Sequence, residues 1–148
     1  NHEKIKAMIN IAHGEGFGLP LFEAAREALP IITVGWSGQV DFLNHDGVNL
    51  FQEVNFTMQP IQKEAVWPGV LEKESMWAFA DQGSYKMVLR KTKKKWKKAK
   101  DTAVKLQGLL SEKFNEERLF AGFCDSIYDP KEREALESEI NTLLEDLI

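Results

Sequence analysis

The chain is short of the residues that build covalent staples and metal cages. Its 148 residues include one cysteine, Cys124, and three scattered histidines. One thiol excludes an internal disulfide framework and a cysteine-based metal site. A reduced, cytoplasmic setting is therefore expected. His2, His13 and His45 do not fall at the spacing of metal ligands. No metal and no other cofactor is expected. No apolar run approaches the roughly 20 residues that span a bilayer. The opening residues, NHEKIK, lack the charged-then-apolar layout of a secretory leader. What the chain does have is a 43% share of hydrophobic residues, enough for a buried core in a length typical of one domain.

Charge is unevenly distributed. The net value is −4, yet residues 86–105 hold ten of the 19 basic residues and a single acid, Asp101. Such asymmetry can mark an anionic partner. The run RKTKKKWKKAK at 90–100 reads either as a solvated helix face or as a surface for nucleic acid or an anionic membrane. Trp96 shares a helical seam with Leu89, Ala99 and Leu106, which favours the solvated face and argues against nucleic acid. A peripheral membrane contact stays open.

Periodicity predicts the fold class: α/β, a partial Rossmann-like parallel sheet followed by C-terminal helices. Residues 6–12, 31–34 and 48–51 read as short strands, and 19–28 and 39–43 as the helices between them. Strand and helix alternating at this spacing imply parallel crossovers. Residues 55–84, broken by Pro60, Pro68 and Gly69, read as a long loop with short helical pieces. Residues 85–110 read as one helix, with Leu89, Thr92, Trp96, Ala99, Ala103, Leu106 and Leu110 as its seam. Two more helices follow at 115–128 and 131–148. The expected division is a first domain at 1–128 and an amphipathic helix at 129–148.

The densest signal is GEGFGLPLFEAAREALPIITVGWSG at 14–38. A glycine loop opens a helix, with Pro20 at an early position where its missing N–H costs nothing. A helix N-terminus offers free N–H groups and a partial positive charge, both of which favour phosphate. Gly16 and Gly18 would let a ligand approach the backbone. Glu15 lies just before the helix, and Glu23 lies about one turn inside it, with seven residues between them. Two separated acceptors suit a nucleotide sugar better than a metal, which wants converging carboxylates. A Glu-x7-Glu spacing and a Gly-Phe-Gly loop taken singly are also common turn chemistry.

Glu15-Gly16-Phe17-Gly18-Leu19-Pro20 followed by Phe22-Glu23-Ala24 resembles the Glu-x7-Glu signature of retaining glycosyltransferases of family four. Residues 30–34 with Ser37-Gly38, and Asp46-Gly47-Val48-Asn49-Leu50, are similar to the strand, small-residue turn and Asp-Gly turn that follow there. The resemblance is strong over 12–50, loose to 128 and absent beyond 131. It implies a GT-B fold of two Rossmann-like lobes, of which this chain supplies the donor-binding one. By resemblance, Glu15 holds donor-sugar hydroxyls. Backbone N–H groups of Gly16, Phe17, Gly18 and Leu19 meet the sugar and diphosphate, and Glu23 binds ribose hydroxyls. The implied reaction transfers a glycosyl group, with retention, from a nucleotide-diphosphate sugar to a polysaccharide, lipopolysaccharide or glycolipid acceptor.

Two departures stand out: the Gly47 turn lacks the family's second glycine, and His13-Gly14 replaces a serine-containing stretch. The acceptor lobe and the start of the donor lobe are expected to lie outside these residues, which would leave the isolated chain inactive. An exposed sheet edge would invite homo-oligomers. The alternative is a non-catalytic binding module acting through the basic helix.

Other residues have two readings each. His13 either acts on an acceptor hydroxyl or serves as a turn residue. Trp36 either stacks on a sugar or fills the sheet edge. Trp67 and Trp77 either line a sugar subsite or anchor the long loop, and Cys124 is expected to be buried.

Overall fold

The structure, a computed structural model, describes residues 2, 4–127 and 129–145. Residues up to Leu110 form one compact unit and those from Ser111 a second. This division falls ahead of the expected one at 128/129.

In the first unit, β1 (Met8–Asn10), β2 (Ile31–Val34) and β5 (Gln52–Val54) form a parallel sheet in the order β1-β2-β5. The α/β class with a small parallel sheet is as expected. Strand β2 is buried along its whole length, because Ile31, Ile32, Thr33 and Val34 face layers on both sides. A strand covered on both faces carries no polar alternation. Helix α1 (Leu19–Arg26) joins β1 to β2, with Leu21 and Ala25 buried. Ile32, Val34 and Val54 make a core cluster against Ala7, Phe56, Ala80, Tyr85 and Val88.

The third parallel strand is displaced from its expected place. Helix α2 (Val40–Leu43) leads into a two-stranded antiparallel ribbon, β3 (Asn44–His45) with β4 (Val48–Asn49). Asp46 and Gly47 both have positive φ, 51° and 75°. That is the turn that closes a two-residue hairpin, so 48–49 is spent on the ribbon. The parallel strand follows at 52–54.

Residues 55–84 are a second correction. They hold an antiparallel hairpin, β6 (Phe56–Pro60) and β7 (Met76–Ala80), with a 3₁₀ turn (Lys63–Ala65) in its long connection. In β6, Phe56 and Met58 are half-buried while Thr57 and Gln59 are exposed. The alternation over five residues is too short to stand out beside Pro60 and Pro68.

The expected single helix at 85–110 is two: α3 (Gln82–Lys94) and α4 (Trp96–Lys113), interrupted at Lys95 with φ −112° and ψ 37°. Next to the break, the Trp96 indole donates to the Lys6 carbonyl at 3.1 Å, and the Lys6 ammonium sits 4.8 Å from its ring centre. Along the seam Thr92, Ala99, Ala103, Leu106 and Leu110 are buried, whereas Leu89 and Trp96 are not. Lys100 Nζ and Gln107 Nε2 donate to the carbonyls of Ala28 and Arg26, both at 2.7 Å. A cation at a helix C-terminus satisfies carbonyls that lack partners and suits the dipole.

The second unit holds α5 (Glu116–Ile127) and α6 (Pro130–Glu145). Among the described residues of the two helices none is buried, and Cys124 is half-buried rather than buried. Arg133 bonds Asp125 on α5 and Glu137 on α6. The hydrogen bond that Arg133 donates to Glu137, with the charges of Asp125 and Glu137, raises the Arg133 pKa. Tyr128 and residues 146–148, where two expected helices ended, lie outside the described residues. No helix among the described residues is long and apolar enough to cross a membrane.

Burial predicts unequal sensitivity. Leu106→Ala should cost about 2–5 kcal/mol in urea unfolding, as deep-core truncations do. Phe123→Ala, at a ring 65% exposed, should stay within about 0.5 kcal/mol. Equal costs would contradict the packing described.

Candidate functional site

Two loops meet where β1 and β2 end. One runs from Asn10 to the start of α1, and the other from Val34 to α2. Ligands of open parallel sheets bind at this carboxyl edge.

The loops are locked through the backbone of Glu15. Ser37 Oγ accepts from the Glu15 N–H at 3.0 Å and donates to the Glu15 carbonyl at 2.7 Å. The Gly38 N–H donates to the same carbonyl at 3.0 Å. Ser37 holds a φ of 75°, a left-handed conformation that costs a non-glycine residue on the order of 1 kcal/mol or more. A Cβ on residue 38 would overlap the Gly16 carbonyl oxygen, so only glycine permits this approach.

The Glu15 side chain is held as well. Asn10 accepts the Ala12 N–H at Oδ1 (2.8 Å), which turns its Nδ2 to donate to Glu15 Oε1 at 2.6 Å. One carboxylate oxygen is thereby occupied by protein, and Oε2 has no described partner. Glu15 is half-buried. This suits a fixed acceptor for hydroxyls more than a mobile acid or base.

Gly18 caps α1 with φ 86° and ψ 48°, and no side chain caps the helix. The N–H groups of Leu21 and Phe22 turn back to the Gly18 carbonyl, and Pro20 has none. Donors for an anion would come from Gly16, Gly18 and Leu19. The Phe17 ring packs with Phe22 and Phe42, with centroids 5.3 and 5.1 Å away, so its ring is a wedge against α1 and α2. Leu19 is exposed. Glu23 stands exposed on α1, and its carboxylate has no described hydrogen bond or ion pair. Gln39, buried behind Gly18, donates weakly to the Val34 carbonyl at 3.4 Å and leaves Oε1 without a described partner.

His13 lies on the β6–β7 hairpin. Its ring stacks on Trp77 at 4.8 Å and 6°, and meets Phe79 at 4.4 Å. Its Nδ1 is 2.8 Å from the Ala78 carbonyl, and its own carbonyl accepts the Ala78 N–H at 3.3 Å. Trp77 therefore anchors residues beside the site. Trp36 is 42% exposed, with Phe56 6.2 Å away.

No family model matches the chain, and no curated protein or solved structure does either.

The structure thus gathers His13, Glu15, Gly16, Phe17, Gly18 and Leu19 in one loop. Glu23 stands apart on the outer side of α1. Sequence reading missed Asn10, which only an asparagine at the end of a short strand could have signalled. It saw Ser37-Gly38 as a turn but not as the lock on Glu15. The contact of His13 with residues 77–79 spans too much sequence for any local signal.

The lock is directly testable. Gly38→Ala should destabilise by about 2 kcal/mol or more, because loop backbone must move. Gly16→Ala, where an added Cβ would meet nothing within 4 Å, should change stability by about 0.5–1 kcal/mol at most. Urea unfolding of both variants decides the point, and a tolerated Gly38→Ala would contradict the geometry.

Proposed function

We propose that this chain is the nucleotide-sugar-binding part of a retaining glycosyltransferase that builds a polysaccharide, lipopolysaccharide or glycolipid. The observation that carries the reading is the fixed carboxylate of Glu15 beside an uncapped helix N-terminus at the carboxyl edge of a parallel sheet. The helix end supplies N–H donors and positive potential for a diphosphate. Glu15 Oε2 supplies an acceptor for sugar hydroxyls, and Glu23, further along the same helix, supplies one for a ribose diol. These groups bind and orient, and the rate advantage would come from position and electrostatics. The acceptor, and the surface that holds it, would belong to a second lobe. The outer strand β1, with Ile9 exposed on it and Ile11 exposed just beyond its end, offers an edge for that lobe or for a second copy.

A thermal-shift screen against UDP-, GDP- and ADP-sugars and the free nucleotides tests the reading. One nucleotide class should raise the melting temperature, and Glu23→Ala should abolish the rise. In the enzyme assembled with its acceptor lobe, Glu15→Ala should cut turnover by about 10²-fold or more, with Glu23→Ala raising KM for the donor. No shift with any nucleotide would contradict the proposal for this chain.

A second reading has its own observation. Lys91, Lys95 and Lys98 line one cavity of ≈280 Å³ with Gln52, Thr92 and Thr102, and no described ion pair involves these lysines. That concavity suits an anionic membrane headgroup, and the chain would then act as a peripheral binding module. Sedimentation with anionic vesicles at low and moderate salt checks it. Binding should fall with salt and be lost in the triple Lys→Glu variant, and no binding at low salt would end this reading.

A further inference from the structure

We propose that the β6–β7 hairpin is a positioning element that presents His13 to the ligand as a hydrogen-bond acceptor. A carbonyl oxygen only accepts, so the 2.8 Å contact between His13 Nδ1 and Ala78 O requires the proton on Nδ1. In the neutral ring this fixes the tautomer and leaves the Nε2 lone pair free to accept. Nε2 lies across the ring from Ala78 and has no partner among the described residues.

Three further contacts keep the ring from turning over. The Ala78 N–H returns to the His13 carbonyl, forming a two-point backbone clasp. Trp77 lies parallel to the imidazole, and Phe79 closes on it at a 51° tilt. Ala78 is fully buried, so the clasp sits on a rigid part of β7.

His13 is followed after one residue by Glu15, whose backbone is locked to Ser37 and whose Oε1 is taken by Asn10. The loop therefore carries two fixed acceptors, His13 Nε2 and Glu15 Oε2. Both accept and neither donates, which selects for neighbouring hydroxyls, the surface of a sugar ring. Trp77, Ala78 and Phe79 are positioning residues that act through His13. The acceptor role rests on the glycosyl-donor reading of the site, while the fixed tautomer does not.

Nitrogen-15 NMR of the imidazoles in the full 148-residue chain separates the two. In mildly alkaline buffer, with His13 assigned by its disappearance in His13→Asn, the ring should show a protonated Nδ1 and a bare Nε2. Trp77→Ala should convert it to a mixture of tautomers, and Trp77→Phe should restore the single form. A wild-type ring protonated on Nε2, or a mixed one, overturns the positioning claim. An unchanged tautomer in Trp77→Ala overturns the part given to the stack.

UDP-glucose, GDP-mannose and ADP-glucose are then added in turn. A probe that moves the amides of Gly16 and Leu19 should also move the Nε2 signal. Gln places an oxygen near Nε2, and Asn keeps only the Nδ1-like donor to Ala78. His13→Asn should therefore lose about tenfold in affinity, the worth of one hydrogen bond, and His13→Gln should lose less. A probe that binds without moving Nε2, or equal losses in the two variants, overturns the acceptor role. If no probe binds, the donor reading fails and the acceptor role falls with it, while the tautomer still decides the positioning claim.

Discussion

The candidate site is organised around the backbone of one residue, Glu15. Its N–H and carbonyl are both bound by Ser37, and its carbonyl is also bound by Gly38, whose missing side chain lets the Gly16 carbonyl come close. This contact ties the loop after β1 to the loop after β2. It fixes where α1 begins, and so where free N–H groups and the Glu15 carboxylate point. Ser37 bears an unfavourable φ to make it. Strain of this kind persists only where surrounding contacts over-determine it, and it clusters at functional sites.

Around that lock the structure places groups of one chemical kind. Glu15 Oε2 and, in the proposed tautomer, His13 Nε2 would accept hydrogen bonds from a ligand and the start of α1 would donate them, while Glu23 stands apart further along the helix. The division suits a ligand with hydroxyls at one end and an anion at the other. The rest of the first unit serves to hold the two loops. The core behind β2 buries Ile32 and Val34, α4 ties down the C-terminus of α1 through Lys100 and Gln107, and the β6–β7 hairpin holds His13.

Local signals in the sequence carried the α1 region well. Pro20, Gly18 and the run of alanines specify a helix start and face through chemistry within a few residues, and Ile31 to Val34 is too apolar and β-branched to be anything but a buried strand. The errors have equally local causes. The Asp46-Gly47 turn draws Val48 and Asn49 into a ribbon, which moves the parallel strand to 52–54. The 85–110 seam keeps its period across Lys95, so the helix break at that residue leaves no trace in the pattern. Residues 56–60 and 76–80 find each other only across a long connection, and each alone is too short to read. The same limit hid the clasp on His13, which depends on Ala78. For the site, the glycines and carboxylates were legible because ligand chemistry and turn chemistry share residue types. Asn10 was not, because an asparagine at a strand end has many other uses.

The central claim is that an anion-and-hydroxyl ligand binds where the Glu15 loop meets Ser37-Gly38. The most direct measurement is an amide chemical-shift map of the chain titrated with nucleoside diphosphate sugars. The account predicts saturable shifts concentrated at Gly16 to Leu19, Ser37 and Gly38, with weaker ones along α1 to Glu23. Shifts confined to the lysines of α3 and α4, with the Glu15 loop silent, would contradict it.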